Sequence, residues 1–257
     1  MTASYCNKTK IGNYFEDQEA DRIKVQDFLN KLHTGNLTFI KQEQKLKALT
    51  QSVDPVHKHK DFVSFQDIVQ ISPAANPDKS LAVVLDDIAI PNSISATVTV
   101  SSLSTSTVRN SFFIVRDEIA MNQYIADFDD RFEPNDTVLR YGQKFHFVAN
   151  PEVCDHQLAL YSEPKSFRAF SRVTNKQIFC AHAPRKVYSS FVVVHPNPEL
   201  RLEMEGEPVP RESPVLIVHS QSGGALDFGS ATVATDFGPE LETFCSRVGS
   251  AQKWIIS

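Results

Sequence analysis

Apolar residues recur at helical spacing over the first fifty positions of this chain and at every second position from Phe62 onward. Val25, Phe28, Leu29 and Leu32 fall at i, i+3, i+4 and i+7, the stripe of an amphipathic helix. Asp17 is placed to cap that helix, with Glu19 and Asp21 in its first turn, Lys31 and His33 near its end, and Gly35 as its C-cap. Tyr14 and Phe15 then precede it. A second helix is expected over about residues 37–51, where Ile40, Leu46 and Leu49 are sparse among Lys and Gln. So thin an apolar face suits a helix that lies along another surface.

Beyond Phe62, short runs rich in Val, Ile, Phe and Thr alternate with Pro, Asn, Asp and Ser clusters. Strands are predicted at 67–71, 81–85, 97–100, 111–115, 138–148, 157–161, 177–181, 190–195, 200–205, 215–219 and 252–256. No crossover helices separate them, which excludes a parallel α/β fold and leaves a mainly β barrel or sandwich. In the run 200–205, alternation places Leu200, Leu202 and Met204 toward a core and Arg201, Glu203 and Glu205 outward. Gly206 ends this run, and Pro208 and Pro210, which cannot donate ladder hydrogen bonds, set Val209 in a turn or at an edge.

A weak repeat narrows the fold. The stretches starting at Val63, Leu139 and Val209 each read as a turn, a strand with apolar residues on alternate positions, a polar loop and a second strand. Three such units at intervals of roughly 70–75 residues point to a β-trefoil-like domain, in which each unit is unstable alone. The domain organisation expected is an N-terminal extension over 1–60 with one or two helices, then a β-trefoil-like domain over 61–257 with an acidic, aromatic insertion near 117–136.

Composition adds constraints. With 41% hydrophobic and 22% charged residues over 257 positions, the chain has the apolar content of an ordinary globular protein. Its net charge of −5 is uneven: residues 1–60 hold 10 Lys+Arg against 7 Asp+Glu, and residues 61–257 hold 16 against 24. A body of that sign has no basic stripe for phosphates, so nucleic acid is not an expected partner. No apolar run approaches the ~18 residues of a membrane span, and residues 1–10 are polar without the apolar segment of a secretory leader, which points to a cytoplasmic protein and no membrane partner. Cys6, Cys154, Cys180 and Cys245 are dispersed and expected to be reduced, with no disulfide or zinc role.

Chemistry-bearing motifs are missing. There is no G-x-S-x-G, no phosphate-cradling glycine loop and no calcium-loop spacing. Ser222-Gly223-Gly224 reads as a hairpin loop, His57-Lys58-His59-Lys60 as a solvated basic linker, and Asp86-Asp87 and Asp129-Asp130 as surface charges. No enzyme, cofactor or metal is expected.

Several ordered stretches resemble one family. Lys10-Ile11-Gly12-Asn13-Tyr14-Phe15-Glu16-Asp17, then Asp27-Phe28-Leu29-Asn30-Lys31 and Gly35-Asn36-Leu37, are similar to the opening of the cilia- and flagella-associated protein 161 family. Arg109-Asn110-Ser111-Phe112-Phe113-Ile114, Val138-Leu139-Arg140-Tyr141-Gly142-Gln143-Lys144-Phe145 and the stretch 197–210 resemble its later motifs in the same order. The sequence departs from that pattern over 116–136 and after Trp254, where the family's usual tail is missing.

The resemblance implies a trefoil-like domain related in shape to MIR modules. It also implies a structural role in the cytoskeleton of the cilium or flagellum, as a microtubule inner protein in the lumen of the axonemal doublet, the A-tubule being expected. α/β-Tubulin and other microtubule inner proteins are the partners it implies. Candidate contact residues are Lys10, Ile11, Asn13, Tyr14 and Phe15, aromatics offering large contact area at low entropic cost, together with the outward Arg201, Glu203 and Glu205. The alternative is a trefoil module binding carbohydrate or peptide, with Tyr141 and Tyr161 as candidate pocket aromatics.

Overall fold

A computed structural model of the chain describes residues 7–85, 89–90, 93–117, 137–154, 156–167, 169–183 and 187–257, with backbone alone for 7–13, 89–90 and 93–94. The acidic insertion, apart from Asp117, and the pairs Asp86-Asp87 and Asp129-Asp130 lie outside the described residues, as does Cys6. Two compact units divide the chain, Met1–Lys47 and Ala48–Ser257.

The first unit is helical. Helix α1 runs over Asn7–His33, so it begins ten residues before Asp17, which sits inside it with Tyr14 and Phe15 and does not cap it. Its interior is laced by Arg22–Glu19, Lys24–Asp21 and Lys31–Asp27 pairs one turn apart, each a small aid to helix formation. The predicted stop holds: Gly35 takes φ +67°, its N–H donates to Leu32 O and the Asn36 N–H donates to Lys31 O at 2.8 Å, the double closure that a left-handed C-terminal glycine permits. Helix α2 follows over Thr38–Leu49.

The second unit is mainly β, and every strand pairing in it is antiparallel. Its strands are β1 (Ile68–Pro73), β2 (Ser80–Val84), β3 (Ala89–Ile90), β4 (Ser93–Ser101), β5 (Ser111–Arg116), β6 (Lys144–Ala149) and β7 (Ala159–Tyr161). They continue with β8 (Gln177–Ile178), β9 (Cys180–Ala183), β10 (Phe191–Val194), β11 (Leu216–His219), β12 (Gly224–Thr235), β13 (Gly238–Arg247) and β14 (Trp254–Ile256). Neighbours run β10-β11-β12-β13-β4-β9-β7-β6, and because β6 also pairs β10, this ladder returns on itself; β5, β1 and β14 extend from β6. Closure leaves few open edges.

Three segments that the sequence repeat placed in register meet in a ring of backbone bonds. Val63 N–H donates to Val209 O at 3.0 Å, Val209 N–H to Leu139 O at 2.9 Å, and Leu139 N–H to Val63 O at 2.8 Å. All three side chains are fully buried. Pro208 and Pro210 fall at bridges to Arg140 and Phe62, positions where the ring asks for no N–H from them.

The core around this ring is filled by Phe112, Phe145, Phe147, Phe191 and Trp254, with the Trp254 indole N–H on Leu226 O at 2.9 Å. Leu49 and, partly buried, Val53 pack into the same cluster, so residues 48–60 are part of the β unit's interior and cover. One charged lock lies within it. Arg109 Nη2 donates to both Glu240 oxygens, at 2.8 and 2.7 Å, Thr99 Oγ1 donates to Glu240 Oε2, and the guanidinium lies 3.8 Å from the Phe237 ring centre.

Two further differences concern the strands. The run 200–205 is no strand: Pro198–Leu200 is a 3-10 turn leading into a short helix, Arg201–Met204. Leu202 points outward, 85% exposed, Leu200 is also exposed, and only Met204 packs on the core. The cause is local, because Asn197 accepts the Glu199 N–H and Pro198 occupies the first helical position, a start signal that outweighs two-residue alternation. The long hairpin β12–β13 falls in a stretch where no strand is predicted between 215–219 and 252–256; Gly229 and Ser230 lie at a register shift between Phe228 and Thr232, a bulge within one strand.

Candidate partner interface

Helix α1 carries the first set of candidate contacts. Lys10, Ile11 and Asn13 lie on it, and their side chains are outside the described residues. Tyr14 and Phe15 are 62% and 71% exposed, with Gln18 Nε2 donating to the Tyr14 hydroxyl at 3.0 Å. Val25, Phe28, Leu29 and Leu32, the stripe read from the sequence, are also exposed. The helix thus presents two apolar patches on one face, separated by the polar turn around Gln18, Asp21 and Arg22.

Arg201, Glu203 and Glu205 do not line one face of a strand. Arg201 Nε donates to His195 O at 2.9 Å, Glu203 is exposed, and the Glu205 side chain lies over Gly142. Gly142 holds φ +78°, and a Cβ there would stand 3.1 Å from Glu205 Cγ. Arg140 Nη1 binds Gly206 O at 2.8 Å and Gly206 N–H returns to Tyr141 O. The segment is therefore fastened to the Leu139–Gly142 turn, and the exposed side chains of 200–205 are Leu200, Leu202, Glu203 and Glu205.

Sequence reasoning missed a groove of about 860 Å³ in the second unit, lined by His57, Lys58, Lys60 and Arg211 with Asp61 and Glu212. Among these lining residues, Arg211 belongs to a buried ion pair. Arg211 Nη2 stands 2.6 Å from Asp67 Oδ2, and Asp67 also accepts the backbone N–H groups of Lys58 and Ser64. Arg211 Nη1 donates to His57 Nδ1 at 2.8 Å. Since a guanidinium only donates, the imidazole accepts on Nδ1 and is neutral, and burial together with the Arg211 charge lowers its pKa. The stretch 57–60 is exposed, as a solvated basic segment, and is held in place by these bonds and by His59 on Thr137 Oγ1. Asp67 and Arg211 are 144 positions apart, and no local pattern joins residues at that separation.

A second histidine is fully buried. His219 Nδ1 accepts the Ser222 hydroxyl at 2.8 Å and its Nε2–H faces Tyr188 O at 3.1 Å; burial lowers its pKa. Gln177 Nε2 also donates to Ser222 Oγ, so the hydroxyl is tied into the β11–β12 hairpin loop predicted at 222–224. The thiols of Cys180 and Cys245 are pushed up to about 12 by burial, which removes their nucleophilic form at neutral pH. Among the described residues, no three His, Cys, Asp or Glu side chains converge as metal ligands, and no helix is long and apolar enough to cross a membrane. Tyr141 and Tyr161 are buried, the latter stacked on His182 with its hydroxyl on Glu163, so neither floors the groove.

Comparison with known proteins places these features in a lineage. The family model described as cilia- and flagella-associated protein 161-like domain matches residues 41–249. Cilia- and flagella-associated protein 161 of Bos taurus is 25% identical over 93% of this chain and 75% of its own length, and that of Mus musculus 23% identical over 91% and 78%. Among solved structures, an SDF2-like protein from Arabidopsis thaliana superposes with a TM-score of 0.52 at 8% identity, covering 76% of this chain and 94% of its own. A Caenorhabditis elegans protein of unknown function superposes at 0.54 with 12% identity, covering 78% and 98%; both likenesses are of fold alone. The family match spans most of the chain, and this protein belongs to the cilia- and flagella-associated protein 161-like family.

Proposed function

We propose that this chain is a non-enzymatic structural protein of cilia and flagella, a microtubule inner protein that binds α/β-tubulin and neighbouring inner proteins from the lumen of the doublet, in the A-tubule. The observation that carries this reading is the family match over residues 41–249, together with relatives named for cilia and flagella that align over 93% and 91% of this chain. The exposed face of α1, with Tyr14, Phe15, Phe28 and Leu32, supports it as a surface that needs a partner. The Cys180 and Cys245 thiols, pushed up to about 12 by burial, are held in the protonated form at neutral pH.

The second unit is, in this proposal, a β-trefoil of MIR-like shape. The ring through Val63, Leu139 and Val209 supports threefold closure, because each segment pairs with the next in the same sense. Many weak contacts, repeated along a polymer lattice, would retain such a protein by avidity. A carbohydrate-binding or peptide-binding trefoil lacks an aromatic floor at the groove, with Tyr141 and Tyr161 buried.

Fractionation of axonemes tests the proposal. The protein is expected to stay with doublets through a high-salt wash and to leave only when the tubule wall is dissolved. Its release into the salt wash with outer-surface proteins would contradict a luminal site.

A further inference from the structure

The loop joining β7 to β8 departs from the rest of the second unit in charge. Residues 163–176 hold Lys165, Arg168, Arg172 and Lys176 against Glu163, whereas the remainder of residues 48–257 holds 14 Lys+Arg against 24 Asp+Glu. Within this basic stretch, Phe167 is 96% exposed, and Phe170 and Val173 are exposed as well. Arg168 lies outside the described residues; Lys165, Arg172 and Lys176 are on the surface.

These side chains stand on a fastened frame. Ser166 N–H donates to Ala169 O at 3.0 Å, and Ala169 N–H returns to Ser166 Oγ at 3.1 Å. Further along, Ser171 and Lys176 exchange a backbone bond, Ser171 Oγ meets Thr174 Oγ1 at 2.6 Å, and Asn175 takes φ +52°. The buried Glu242 on β13 accepts the N–H groups of both Val173 and Thr174, at 2.9 and 2.8 Å, and the Lys176 ammonium lies 3.8 Å from the Phe244 ring centre. A loop held this way presents Phe167 without the ordering entropy that a flexible segment would lose on binding.

We propose that the 163–176 loop is an anchor for an acidic protein surface, with Phe167 entering an apolar recess and Lys165 and Arg172 meeting carboxylates around it. The charge contrast selects the partner class. A local acidic patch on a protein matches the footprint of the loop, whereas the plane of an anionic bilayer would repel the acidic remainder of the unit. The inference rests on the reading in which that partner is tubulin, and names the part of the second unit that touches it.

The test uses the full chain and fluorescently labelled tubulin, both as dimers and as open sheets that expose the luminal face. Phe167→Ser, the pair Lys165→Glu with Arg172→Glu, and the charge control Lys253→Glu are compared with the parent chain, each with a melting curve. Phe167, Lys165 and Arg172 are exposed, and the melting curves separate any loss of folding from a loss of binding. Truncating an aromatic anchor is expected to weaken binding at least about tenfold, and the double reversal to weaken it and flatten its dependence on salt. Lys253→Glu is expected to bind like the parent. Parent-like binding by both loop variants overturns the anchor and leaves the tubulin reading intact, whereas a parent chain that binds neither form of tubulin overturns both. Phe167-dependent sedimentation with phosphatidylserine vesicles, in place of tubulin, overturns the protein partner.

Discussion

Arg109 and Glu240 show how a charge survives inside this β unit. The guanidinium is 1% exposed and Glu240 6%, so neither retains much hydration, and each depends on the other and on Thr99 and Phe237. Removing one partner leaves a buried charge uncompensated, and Arg109→Ala or Glu240→Ala should each destabilise by about 3–5 kcal/mol. Replacing both with apolar residues should cost far less, so chemical denaturation of the double variant is expected to show strong coupling; additive losses would contradict the lock. His219 makes the fold sensitive to acid. Its ring must accept on Nδ1 from Ser222, and burial lowers its pKa from 6.5. The unfolded chain therefore takes up the proton first as pH falls below about 6.5, and stability present above that value is lost as pH drops toward the folded pKa. His57, held by Arg211, acts in the same direction. Melting temperature is expected to fall between pH 7.5 and 5.5, and to fall less in His219→Gln; equal slopes would remove His219 from the cause.

Among the elements, the exposed face of α1 lets partner contact be tested apart from the stability of the β unit. Phe28 and Leu32 are exposed, so Phe28→Ser with Leu32→Ser should leave the melting of the β unit within about 0.5 kcal/mol while weakening retention on doublets. The short helix Arg201–Met204 is a different case: Asn197→Ala removes the acceptor for Glu199 N–H and should cost about 1 kcal/mol, seen as earlier thermal unfolding. These two elements also mark what the sequence could convey. The stop of α1 was legible because Gly35 is the residue that a left-handed closure favours, but its start was not, since residues 7–16 have no regular apolar spacing and Asp17 resembles a cap. Alternation at Leu200, Leu202 and Met204 suggested a strand, yet Asn197 and Pro198 decided the segment locally. Most shorter strands were readable because one face of each enters the core. The groove at Asp67 and Arg211 was not, because tertiary closure alone brings them together, and neither was the 163–176 loop, whose exposed Phe167 looks in sequence like one more core aromatic.

The whole molecule joins a helical unit with an exposed apolar face to a β unit closed on itself, and the closing ring at Val63, Leu139 and Val209 is where the repeat becomes structure. Inside the β unit the Arg109–Glu240 and Arg211–Asp67 charges are paired and the Cys245 thiol is buried. A protein of this kind is expected to act by occupancy, at a fixed spacing along a polymer. Cryo-electron microscopy of native doublets, with the chain present and with its gene removed, measures this most directly. The account predicts periodic density on the luminal wall of the A-tubule that accepts the β unit of residues 48–257 and vanishes on removal. Unchanged luminal density, or density lost only from the outer surface, would contradict it.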